Sequence, residues 1–165
     1  ESEYMDIIRC KTAVLFQGAC RISAILAHAA EEKERGLSDY GYNLGMAFQI
    51  MRDIHDFFGD PSDLEKPAGS DLQLGNITLP TLLYLEAHPD KFDIDSIRKN
   101  NGNGRGEIDE FIQAIRQSDA LEQATSEADR FLKRGLESLF NLPDTPERDE
   151  LALLAQNIIH QEIPR

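Results

Sequence analysis

Positive charge is scarce in this chain of 165 residues: 17 Lys and Arg stand against 30 Asp and Glu, a net charge of −13. Such a domain repels phosphate backbones and anionic headgroups, which argues against nucleic-acid and membrane-surface partners. A phosphorylated ligand would need a local correction from a few cations or from divalent metal. Long apolar runs are also missing. None approaches the ~18 residues of a membrane span, and no basic-then-apolar leader opens the sequence. An integral membrane segment is therefore not expected. Cysteine is sparse, with only Cys10 and Cys20. Ten residues of helix separate them by about 15 Å, too far for a disulfide. They read as two buried thiols in a reducing, cytoplasmic compartment. An initiator Met is absent too, and Glu1-Ser2-Glu3-Tyr4 runs straight into a helical pattern, as in a chain cut from something longer.

What is present is helix. With 41% hydrophobic and 28% charged residues, the chain has the composition of one ordinary globular domain. Apolar residues recur at three- and four-residue steps from Tyr4 to His28. Gly36 and the Ser38-Asp39 pair punctuate that pattern, and a second helix is expected from Asp39 to Phe58. A polar loop over Asp60 to Asn76 follows, then a short helix from Thr78 to Ala87 with Pro80 tolerated in its first turn. The stretch Asn100 to Gly106 reads as a loop, and three helices are expected near Glu107–Gln117, Ala120–Phe140 and Glu147–His160. No strand pattern and no internal repeat emerges. The fold class is all-α, a helical bundle.

The chemistry gathers on the second helix. Gln49, Asp53 and Asp56 stand at i, i+4 and i+7, on one face. Two carboxylates one turn apart can share a hard divalent cation such as Mg²⁺. A solvated acidic stripe has the same spacing, and Asp60-Pro61-Ser62-Asp63 repeats it in what reads as a turn. The neighbouring residues decide. Tyr40-Gly41-Tyr42-Asn43-Leu44-Gly45-Met46-Ala47-Phe48-Gln49-Ile50-Met51-Arg52-Asp53-Ile54-His55-Asp56 resembles the YGxxLGxAFQI segment that leads into the second aspartate-rich motif, DDxxD, of trans-prenyl diphosphate synthases. Upstream, Lys11-Thr12-Ala13 with Leu15-Phe16 resembles that family's KTAxLF helix. Downstream, Lys66-Pro67-Ala68-Gly69-Ser70-Asp71-Leu72, Gly75 and Thr78-Leu79-Pro80 resemble its KxxGxDLxxGKxTLP loop. Ser118 to Ala124 is similar to its C-terminal helix.

The resemblance spans nearly the whole chain and implies the isoprenoid-synthase fold, with residues 1–165 as the C-terminal half of a synthase domain. It implies Mg²⁺-dependent condensation of an allylic diphosphate with isopentenyl diphosphate, releasing diphosphate. Metals and Lys neutralise the leaving group while the allylic carbon ionises. Carried over by position, Lys11 and Lys66 contact diphosphate, Thr12 and Gln49 line the allylic end, Asp53 and Asp56 ligate metal, and Asp71 supports the loop or a metal-bound water. A homodimer or a complementing subunit is implied as partner.

Three departures stand out. Arg52 occupies the first Asp of the motif, where it can pair with Asp56 or touch diphosphate itself. Asn76 replaces the Lys of the GKxT step, and no Asp-Asp pair occurs anywhere, so the first aspartate-rich motif lies outside this chain. Half a metal cage is expected to be inactive alone. The alternatives are a non-catalytic or regulatory partner subunit of a synthase, or a class I terpene cyclase, against which the KTA and GSDL segments stand. The run Lys99 to Glu110 imitates a calcium-binding EF-hand loop, but no register satisfies both the ligand and the apolar positions.

Overall fold

The structure, a computed structural model, describes residues 1–58, 68–92 and 105–161. These residues form helices α1 (Ser2–Ile8), α2 (Val14–Leu26), α3 (Glu31–Asp56), α4 (Ser70–Gln73), α5 (Leu79–Ala87), α6 (Arg105–Arg116), α7 (Ala120–Ser138) and α8 (Pro146–Gln161). No strand occurs among the described residues, and none of their helices is long and apolar enough to cross a membrane. The fold is all-α, as the periodicity predicts.

Two expected helices differ in their bounds. The first is not one helix: a five-residue π turn, Arg9–Ala13, joins α1 to α2, and the segment ends at Leu26 with His28 in the left-handed region. The second begins at Glu31, eight residues before the expected start. Gly36 does not break it. A Cβ there would stand 3.0 Å from the Ser138 carbonyl and 3.1 Å from the Asn141 Cβ, so this glycine answers to crowding by a neighbour. The expected loop over 100–106 lies outside the described residues, apart from its last two positions, which open α6.

Contacts divide the chain into two units. One comprises Ser2–Met51 with the described residues from Glu127 on. Its core is the second half of α3 (Tyr40, Leu44, Met46, Ala47, Ile50 and Met51), with Tyr4, Ile8 and Ala13 before it and Ala128, Phe131, Leu132 and Ile159 after it. Being apolar almost all round, this stretch of α3 can only be stable buried. Tyr40 Oη donates to the Leu151 carbonyl at 2.8 Å, tying α3 to α8.

The other unit is Arg52–Ser126. Its buried cluster is Phe57, Leu72, Tyr84, Ile108, Phe111, Ile112, Ile115 and Ala120. Ile108, Phe111, Ile112 and Ile115 form one stripe of α6, the spacing that gives a helix a single apolar face. Phe111 meets Tyr84 edge-on at 5.6 Å and Phe92 at 4.6 Å.

Candidate functional site

The KTA segment lies in the π turn. An i→i+5 turn is rare and marks functional positions more often than chance. Here it places Thr12 so that its Oγ1 donates to Gln49 Oε1 at 2.7 Å. Gln49 is only 8% exposed, so its amide lies in a buried setting where a polar partner matters. Lys11, one residue earlier, is exposed. The two glycines of the YGxxLG segment explain how the two helical segments approach. A Cβ on Gly45 would stand 2.7 Å from Ala13 Cα, and one on Gly41 would stand 2.5 Å from the Phe16 carbonyl. Both glycines clear the face of α3 against which the π turn and the start of α2 rest, and Phe16 packs on Phe48 with ring centroids 5.5 Å apart.

In the unit built on Arg52–Ser126, the end of α3 is held by the loop carrying Gly69 to Asn76. The Gly69 amide donates to the Asp56 carbonyl at 2.7 Å. Ser70 Oγ donates a short hydrogen bond to Asp56 Oδ1, and the Asp71 amide donates to Asp56 Oδ2 at 3.0 Å. Burial pushes the Asp56 carboxyl above its ordinary pKa, and these two hydrogen bonds pull it back in part. Asp71 in turn accepts from Asn76, at Oδ1 from the side-chain amide (3.2 Å) and at its carbonyl from the backbone (2.9 Å). Asn76, which replaces a Lys of the motif, therefore closes the loop on itself.

Asp53 is buried, at 5% exposure, and Arg52 is exposed. Asp56, one of the two partners the sequence left open to Arg52, accepts from Ser70 and Asp71. α3 runs unbroken to Asp56, so Gln49, Asp53 and Asp56 keep the i, i+4, i+7 spacing along one helix. Lys66 lies outside the described residues. Among the described residues, no three His, Cys, Asp or Glu side chains group as a metal site. Two carboxylates nonetheless suit Mg²⁺, which takes one or two from protein and the rest from water and phosphate. A carboxylate offers about four acceptor sites, and Ser70 and Asp71 occupy only part of them at Asp56. Neither thiol is as buried as expected: Cys10 is exposed and Cys20 half-buried, and both are free. The π turn gave no signal in the sequence, because its residues keep the helical apolar spacing.

The polyprenyl synthetase family model matches residues 1–115. The chain belongs to that family. It is 37% identical over 164 residues to the octaprenyl diphosphate synthase of Escherichia coli K12, covering 98% of this chain and 50% of that one. It is 39% identical over 152 residues to heptaprenyl diphosphate synthase component 2 of Geobacillus stearothermophilus, covering 92% and 47%. The crystal structure of heptaprenyl diphosphate synthase from Staphylococcus aureus superposes with a TM-score of 0.89 at 34% identity, over 98% of this chain and 50% of that one. The fold is therefore that of the prenyl diphosphate synthases, and the chain spans about half the length of these relatives.

Proposed function

We propose that this chain supplies the second-motif half, the C-terminal half, of a prenyl diphosphate synthase that joins an allylic diphosphate to isopentenyl diphosphate and releases diphosphate. The observation that carries the reading is the Thr12–Gln49 hydrogen bond. It links the KTA segment to the motif helix, two segments 37 residues apart whose meeting has no need of a buried polar pair for packing alone. In this reading Thr12 and Gln49 line the allylic end. Lys11, Lys66 and Arg52 place positive charge on diphosphate, and Asp53 and Asp56 hold Mg²⁺. The metal would supply charge neutralisation on the departing diphosphate. Arg52, in place of an aspartate, offers a planar pair of donors that suits phosphate oxygens.

The other half of the site would come from residues like those in the remaining length of the relatives, in the same polypeptide or in a complementing one. The helices α1 and α2 support this. Ile7, Val14, Leu15, Ile22, Ile25 and Leu26 are 43–74% exposed along them, an apolar stripe suited to a further helical surface or to a second copy of the chain. The test is a condensation assay on this chain with allylic diphosphate, isopentenyl diphosphate and Mg²⁺, alone and with a polypeptide carrying the first aspartate-rich motif. Diphosphate release only in the mixture is expected. Turnover by the chain alone would overturn the half-site reading.

A second reading, a regulatory partner subunit, draws on Arg52 at a ligand position and on Asp56 and Asn76 being engaged within the protein. It predicts that the mixture stays inactive while the chain still binds an active synthase and alters its rate.

A further inference from the structure

Arg116 ends α6 and reaches the far end of the motif helix. Its Nε donates to the Phe57 carbonyl at 2.8 Å, and its Nη2 donates a second, short bond to the same oxygen. Its guanidinium carbon also sits 5.5 Å from the centre of the Phe58 ring. Phe57 follows Asp56 directly. The last carbonyls of a helix lack partners within it and carry the negative end of its dipole, so a guanidinium is the side chain best fitted to close this end. The same helix braces the loop below. A Cβ on Gly69 would collide with the Ile112 side chain, and Gly69 has φ +73°, a conformation that suits glycine. α6 therefore fixes two things at once: the backbone just after Asp56, through Arg116, and the start of the loop whose Ser70 hydroxyl and Asp71 amide hold the Asp56 carboxylate, through Ile112.

We infer that Arg116 is a positioning residue, which sets the orientation of the Asp56 carboxylate by clamping the final turn of α3. It acts through the Phe57 carbonyl and the Phe58 ring. Its role toward diphosphate and Mg²⁺ rests on the proposed function, whereas its role toward the α3 terminus does not.

Arg116→Met keeps the length of the stem and removes every donor. Arg116→Lys keeps one charged donor. Ile115→Val, in the same helix and the same core, is the control for simple loss of packing. Hydrogen exchange of the wild-type chain and the three variants reads the clamp directly. Arg116→Met is expected to speed exchange about tenfold at the Phe57, Phe58, Gly69 and Asp71 amides, the loss of a charge-assisted bond. Arg116→Lys should recover much of this, and Ile115→Val should not produce it. Titration of inorganic diphosphate with Mg²⁺ then reads the consequence: weaker binding by about fivefold or more in Arg116→Met, with partial recovery in Arg116→Lys. Unchanged exchange at those four amides in Arg116→Met, or an equal change in Ile115→Val, overturns the inference. If the wild-type chain binds no diphosphate, the proposed function fails, and the exchange data still decide the role of Arg116.

Discussion

At the scale of single residues, the motif positions do not share one environment. Arg52 is exposed, Asp53 is buried, and Asp56 is half-buried with a hydrogen bond to each oxygen. Arg52→Asp restores the first carboxylate of the motif, and it should make diphosphate binding more dependent on Mg²⁺ while abolishing any binding that needs no metal. Titrations of both forms with and without Mg²⁺ check this, and an unchanged metal dependence would show that position 52 lies away from the ligand. Proton and cation compete for the Asp56 oxygens, and burial holds the neutral form to higher pH. Mg²⁺-dependent binding should therefore weaken as pH falls, at a higher pH than for an exposed aspartate, and Asp56→Asn should remove that step from the pH profile. Thr12→Val deletes the donor to Gln49 and leaves a buried amide oxygen short of one bond. A stability loss of about 1–3 kcal/mol is expected from denaturant unfolding.

Helix pairs are where the sequence was most and least legible. The stripes of α6 and α7 could be read from spacing alone, because each buries one face. The start of α3 could not, since Gly36 looks like a breaker until Ser138 and Asn141 are seen against it. The π turn was hidden for a related reason: Arg9 to Ala13 keep the apolar period, and only the backbone of the folded chain shows the altered turn. Likewise the motif located Asp56, but its hold by Ser70 and Asp71 depends on a loop that closes in three dimensions. Gly45→Ala should press a methyl group into Ala13 and cost about 1–3 kcal/mol, seen as a lower thermal midpoint. The contact between α3 and α8 carries its own pH signature. Burial, with the nearby Cys20 charge, raises the Tyr40 phenol to about 12. The unfolded phenol ionises near its ordinary value of 10, so the folded chain binds more protons between the two. Stability from this group is complete below pH 10 and is lost as pH rises toward 12, by up to roughly 3 kcal/mol. Tyr40→Phe should flatten that part of the thermal stability profile.

Over the whole molecule, net charge and the proposed chemistry pull in opposite directions. A chain of −13 repels diphosphate, so the proposed binding would depend on where its few cations stand and on added metal. The family and the all-α fold were legible because three motifs fall in order along the chain. The missing first motif already pointed to part of a synthase, and the chain spans about half the length of its relatives. The exposure of the apolar stripe on α1 and α2 was not legible, because an exposed stripe and a buried one have the same period. In the proposed function, Asp53 and Asp56 still serve a metal–diphosphate site beside Arg52. Isothermal titration of inorganic diphosphate, with and without Mg²⁺, tests it most directly. Heat of binding that requires Mg²⁺ and disappears in Asp53→Asn is expected. Binding indifferent to Mg²⁺, or none at all, would contradict it and favour the partner-subunit reading.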